Sequence, residues 1–102
     1  MTRRVYSVSD IQRIVAPIAE KHRVERVYLF GSYARHEATE ESDVDLCAYA
    51  PLLRGLFAWG GFYADLENGL GKKLDLVMED GIQEERFRES FERDRVLIYG
   101  RV

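Results

Sequence analysis

Four sites in this chain carry side chains suited to reaction chemistry: Gly31-Ser32, Arg35 one turn later, Asp43-Val44-Asp45 after a ten-residue interval from Ser32, and Asp75. In an extended strand two residues advance the chain by about 6.6 Å and return the side chain to the same face. Asp43 and Asp45 are therefore expected to project side by side, with Val44 and Leu46 turned into the core. Asp75, between Leu74 and Leu76, follows the same alternation and can reach that surface from an adjacent strand. Three carboxylates brought together repel one another unless cations lie between them. Oxygen-only ligands suit Mg²⁺ or Mn²⁺. Two such ions about 3.5–4 Å apart stabilise the attacking and leaving oxygens of an in-line displacement at phosphorus, which is the chemistry of phosphoryl and nucleotidyl transfer.

Gly31-Ser32 supplies an anion-facing turn. A glycine at a strand end lets backbone approach an anion without a Cβ in the way. The following N–H groups open a helical turn, Ser32 adds a hydroxyl donor, and Arg35 adds a planar fork for the same anion. Taken singly these features are ordinary: Asp-x-Asp is common on solvated strands, and Gly-Ser is a common turn. Their combination is what points to the chemistry.

The elements that must position these groups are legible from hydrophobic spacing. Ile11, Ile14, Val15, Ile18 and Ala19 mark one face of a helix over about Ser9 to His22, with Ser7 and Asp10 as a capping box and Pro17 expected to kink or divide it. Val24 to Phe30 reads as a buried strand, Tyr33-Ala34-Arg35 as a short helix or turn, and His36 to Ser42 as an exposed polar loop. Val44 to Ala50 is the next strand, with Cys47 and Tyr49 on the carboxylate face. Leu52 to Leu70 has a helical stripe of Leu56, Trp59, Tyr63, Leu66 and Leu70, with Phe57 and Phe62 off it. Gly69 and Gly71 close that helix. Lys73 to Met78 forms a third strand. A charged helix over about Ile82 to Arg93 carries Phe87 and Phe91 at i,i+4, and Val96 to Tyr99 is a candidate edge strand. Helices alternating with strands indicate an α/β domain.

At 102 residues the chain fits one domain, 1–102, and 46% apolar with 12% aromatic content marks it as folded. The lone Cys47 excludes an intrachain disulfide and fits a reducing compartment. No apolar run is long enough to span a bilayer and no secretory pattern is visible, so a cytoplasmic location is the expectation. A net charge of −3 argues against a domain that holds nucleic acid through its phosphates. His22 reads as a helix-end residue, His36 as a loop histidine, Trp59 as core or interface, and no zinc-ligand cluster is present.

Gly31-Ser32-Tyr33-Ala34-Arg35, Glu37-Ala38, Ser42-Asp43-Val44-Asp45-Leu46 and Lys73-Leu74-Asp75-Leu76-Val77 together resemble the signature of the minimal nucleotidyltransferase (MNT) proteins. These belong to the DNA polymerase beta-like nucleotidyltransferase superfamily, and the similarity runs from about Val24 to Tyr99. The resemblance implies an α+β fold in which a small mixed sheet is flanked by helices. It implies Asp43 and Asp45 as metal ligands, Asp75 as third carboxylate and general base, and Gly31, Ser32 and Arg35 as the nucleotide-phosphate site. It further implies Mg²⁺ (or Mn²⁺) as cofactor, ATP as substrate and a HEPN-domain ribonuclease toxin as partner. AMP would pass to a tyrosine of that toxin with release of pyrophosphate. His36 departs from the pattern, since glycine is frequent there. Two alternatives stand beside this reading. One is an antitoxin that neutralises by binding alone, through the apolar stretch Leu52 to Phe62. The other is transfer to a small molecule, as in the aminoglycoside nucleotidyltransferases, which carry an additional acceptor domain.

Overall fold

A computed structural model describes residues 4–79 and 85–100. The first helix, α1, spans Val8–Lys21. The Ser7 hydroxyl accepts from the Asp10 N–H at 3.0 Å, and the Asp10 carboxylate accepts from the Ser7 N–H at 3.0 Å, so the capping box is complete. Ile11, Val15 and Ala19 are fully buried along its inner face. Of the two outcomes expected for Pro17, a kink or a division, the division does not occur: α1 runs through it. Pro17 and Arg13, whose carbonyl loses its helical N–H partner, both lie on the exposed face, where water can replace the missing bond.

Four strands follow: β1 (Arg26–Phe30), β2 (Val44–Tyr49), β3 (Leu74–Met78) and β4 (Val96–Gly100). They form one sheet in the order β3-β2-β1-β4. β1 pairs antiparallel with both β2 and β4, and β2 pairs parallel with β3. The sheet is therefore mixed, as the family pattern implies. The parallel pair needs a long connection, and α3 (Gly55–Leu70) supplies it. A short helix, α2 (Gly31–Ala34), follows β1, and α4 (Glu85–Asp94) precedes β4.

Period-two alternation gives the sheet two faces of different character. Val27, Leu29, Val44, Leu46, Ala48, Leu74 and Ile98 join Ile11, Val15, Phe62, Leu66 and Leu70 in the main core, beneath α1 and α3. On the other face Tyr28, Phe30 and Cys47 gather around Phe91 of α4. Phe91 meets Tyr28 and Phe30 edge-on, with ring centroids 5.7 and 5.5 Å apart. The side chain of Phe87 and the whole of Ile82 lie outside the described residues, so the expected Phe87–Phe91 pairing falls there too.

The buried stripe of α3 differs from the one read from sequence. Phe62, Leu66 and Leu70 are fully buried, Trp59 and Tyr63 flank them, and Leu56 is 91% exposed. Two neighbours, rather than one, orient this helix. The sheet lies below it, while α1 sets His22 on the Phe62 ring and Ile14 and Ile18 over Gly69. Phe62 is drawn inward, and Leu56 is left on the outer edge beside Leu76 and Met78 of β3. The helix also starts at Gly55 rather than Leu52.

His36 adopts φ +60, the left-handed region that disfavours a Cβ. That conformation is why glycine suits this position in the family pattern. His36→Gly is expected to stabilise the protein by about 1 kcal/mol, read as a higher urea midpoint with unchanged slope. A lower midpoint would mean that the exposed imidazole makes contacts outweighing its backbone cost.

Candidate active site

Strand register assembles the carboxylates. The parallel pairing of β2 and β3 sets Asp45 level with Asp75, and the antiparallel pairing of β1 and β2 sets Phe30 level with Asp45. Gly31, the residue after β1, therefore arrives directly against Asp45. It adopts φ +72, and a Cβ added there would fall on Asp45 Oδ2. Glycine is required at this point both for its backbone angle and for the approach of the carboxylate. Asp43, one residue before β2, and Asp75 are exposed, whereas Asp45 is half-buried.

Burial, first, and then the charges of Asp75 and Asp43 push the Asp45 carboxyl from its ordinary 3.8 up to about 6, while Arg35 pulls the other way. The three acids thus feel one another. Among the described residues no three His, Cys, Asp or Glu side chains close up as a ready ligand cage. Asp43, Asp45 and Asp75 instead form an open, all-oxygen set whose repulsion is concentrated on Asp45. Such a donor set fits a hard divalent cation, which would offset that repulsion.

Ser32 is half-exposed at the second position of α2. Arg35 is already engaged: its Nε donates to Glu37 Oε1 at 2.9 Å, and its Nη1 lies 3.6 Å from Asp94 Oδ2 of α4. It shares the neighbourhood of Asp45 but must exchange at least one carboxylate partner to grip an anion with both arms. Asp94 was not anticipated from sequence, because nothing in the spacing of a charged helix singles it out. Lys72 was also missed. It is buried, and its Nζ donates to the Glu40 carbonyl at 3.1 Å, fastening the loop before Asp43 to the start of β3. The pair Lys72-Lys73 immediately ahead of Leu74-Asp75 was the available signal.

The remaining residues singled out from sequence are structural. Cys47 shares the carboxylate face but is fully buried, and burial pushes its thiol up to about 12. His22 caps α1, half-buried, with Nε2 2.7 Å from Asp65 Oδ2. Trp59 is half-buried, edge-on to Phe62. A cleft of about 530 Å³ is lined by Glu67, Asn68, Gly71, Lys72 and Lys73, so it does not contain the carboxylates. The acids sit on an open surface.

A carboxylate set aligned by register beside a Gly-Ser turn is the arrangement expected for nucleotidyl transfer, and the nucleotidyltransferase domain family matches residues 11–99. This chain is a nucleotidyltransferase. A relative from Methanocaldococcus jannaschii that bears the name of a protein adenylyltransferase is 32% identical over 99 residues, covering 90% of this chain and 98% of its own. The protein adenylyltransferase MntA of Thermococcus cleftensis is 35% identical over 66 residues, covering 65% of this chain and 67% of its own. A solved minimal nucleotidyltransferase superposes with a TM-score of 0.73 at 32% identity, covering 89% of this chain and 95% of its own. A toxin–antitoxin structure with AMP-PNP shares the fold at a TM-score of 0.73 and 18% identity, covering 88% of this chain and 73% of its own.

The nucleotidyltransferase carries a pH signature at Asp45. Between pH 3.8 and about 6 the folded carboxyl keeps a proton that the unfolded chain has released. The native state then binds more protons, so stability falls as pH rises through that window. Asp45→Asn removes the fall, and in the presence of chelator it is expected to exceed wild type by about 1–2 kcal/mol at neutral pH, less than the full shift because the group is partly solvated. Urea unfolding at several pH values reads this directly. Parallel wild-type and variant profiles would rule out the strained carboxylate.

Proposed function

We propose that this nucleotidyltransferase is a protein adenylyltransferase acting as an antitoxin, which transfers AMP from ATP to a tyrosine of a cognate HEPN ribonuclease toxin. The observation that carries the reading is the level register of Asp45 with Asp75, closed on one side by Gly31. The openness of that surface supports an acceptor presented by another protein. Further support comes from relatives bearing the name protein adenylyltransferase. A structure with the same fold, at a TM-score of 0.68 and 17% identity, is a complex of an MNT antitoxin with a tri-AMPylated HEPN toxin of Shewanella oneidensis. We further propose that residues 1–102 work as one minimal domain in the cytoplasm.

In the proposed reaction Gly31 and Ser32 hold the phosphates of ATP with backbone and hydroxyl donors, and Arg35 assists once it has exchanged a carboxylate partner. Asp43 and Asp45, with Asp75, would hold Mg²⁺ or Mn²⁺, which when bound supplies positive charge to offset the charge developing at phosphorus. Asp75 stands exposed on β3 and accepts the proton of the attacking hydroxyl. The hydroxyl oxygen bonds to the α-phosphorus, the bond from that phosphorus to the bridging oxygen breaks, and pyrophosphate leaves.

The test is the intact mass of the protein encoded by the neighbouring gene after incubation with this chain, ATP and Mg²⁺. AMP-sized increments on a tyrosine are expected, and an Asp43→Asn/Asp45→Asn double variant should slow their appearance by at least about 10³-fold. No increment with any nucleotide or metal would overturn the reading. Full neutralisation of the toxin by the double variant would instead make binding alone the means.

A further inference from the structure

Asp94 is poorly placed for its own helix and well placed for Arg35. It is the last residue of α4, where the negative end of the helix dipole opposes a carboxylate. Its side chain is nonetheless sheltered, only 17% exposed, with Oδ2 3.6 Å from Arg35 Nη1 and Oδ1 3.5 Å from Arg93 Nε. Phe91 holds α4 to the sheet, buried against Tyr28 and Phe30 of β1. Glu37, the other partner of Arg35, differs on each count. It lies in the polar loop, 64% exposed, and its Oε1 accepts from Arg35 Nε at 2.9 Å.

The two carboxylates take different parts of the guanidinium. Its Nε–H and one N–H of Nη2 run side by side and form a two-pronged edge suited to phosphate, and Nη1 lies outside that edge. Nη2 makes no hydrogen bond or ion pair among the described residues. Glu37 therefore occupies half of the phosphate-gripping edge, whereas Asp94 holds the arm that this edge does not use. The backbone of Arg35 is tied to the same turn, its N–H donating to the Gly31 carbonyl at 3.1 Å. Its charge already reaches the acids, since it pulls the Asp45 carboxyl down against burial and the other two carboxylates.

We propose that Asp94 is a positioning residue for nucleotide binding: it keeps hold of Arg35 Nη1 while phosphate displaces Glu37 from the Nε–Nη2 edge. The inference rests on the reading of Arg35 as a phosphate ligand, and it says which carboxylate partner is kept and which is given up. Asp94 is kept because it is sheltered on a packed helix. Glu37 is given up because it stands largely in water, where an ion pair is worth little. Repulsion alone would make either acid weaken the binding of a polyanion, so neutralising either would tighten it if position did not matter. The proposal makes the two acids differ in sign.

Calorimetric titration of the chain with ATP and Mg²⁺, without any acceptor protein, tests this. Glu37→Gln should tighten ATP about threefold, and Asp94→Asn should weaken it about fivefold, with Asp94→Glu recovering most of the loss. In an Arg35→Ala background Asp94→Asn should have no further effect. In AMP transfer the Asp94→Asn loss should fall on KM for ATP, with kcat held within about twofold. The proposal is overturned if Asp94→Asn leaves ATP affinity unchanged or tightens it, or if its effect survives without Arg35. A wild type that binds ATP in the expected pattern but transfers AMP to no protein overturns the antitoxin reading and not this one. A wild type without affinity for ATP overturns both.

Discussion

Asp45 is half-buried between two other acids, and the rest of the fold can be understood as what makes that tolerable. A free carboxylate would turn outward or protonate. Here its strand is fixed from below, because Val44, Leu46 and Ala48 are fully buried under α1 and α3, so its side chain cannot leave the face. The parallel pairing with β3 then brings Asp75 level with it, and β1 delivers Gly31 to its other side. Apolar burial on one face thus stabilises electrostatic strain on the other. A positive charge placed between the acids would relieve that strain.

Much of this was legible in the chain itself. Alternation around Asp45 and Asp75 assigns both to one face without any knowledge of the sheet, because Val44, Leu46, Leu74 and Leu76 declare the opposite one. The spacing of Ser7 and Asp10 likewise announces the start of α1. Strand direction was not legible from alternation, since parallel and antiparallel neighbours share period two, and only the family pattern pointed to a mixed sheet. Spacing alone placed Leu56 on the inner face of α3 and Phe62 off it, whereas Leu66 and Leu70 are buried as expected. Packing against α1 as well as the sheet turns Phe62 inward and leaves Leu56 outside. Pro17 was expected to kink or divide α1; it does not divide it, and its exposed side lets water stand in for the lost bond.

The surroundings of the site were harder to foresee than the site. Arg35 divides its guanidinium between Glu37, two residues on, and Asp94, which only the tertiary fold brings near. The ion pair with Asp94 couples the turn after β1 to α4. Tyr33 adds a second local tension: its hydroxyl is buried without a hydrogen-bond partner among the described residues. The turn after β1 is held less by polar satisfaction than by the rings and aliphatic groups around it.

Lys72 gives the interval between Ser32 and Asp43 a meaning beyond motif spacing. Its ammonium reaches across to the Glu40 carbonyl, while the Val44 N–H donates to the carbonyl of Lys73 at 3.0 Å. The end of the loop is therefore tied twice to the residues that lead into β3, the strand that carries Asp75. Its far half is thereby pinned against the start of β3, so the loop delivers Asp43 and Asp45 to the sheet at a fixed height beside Asp75.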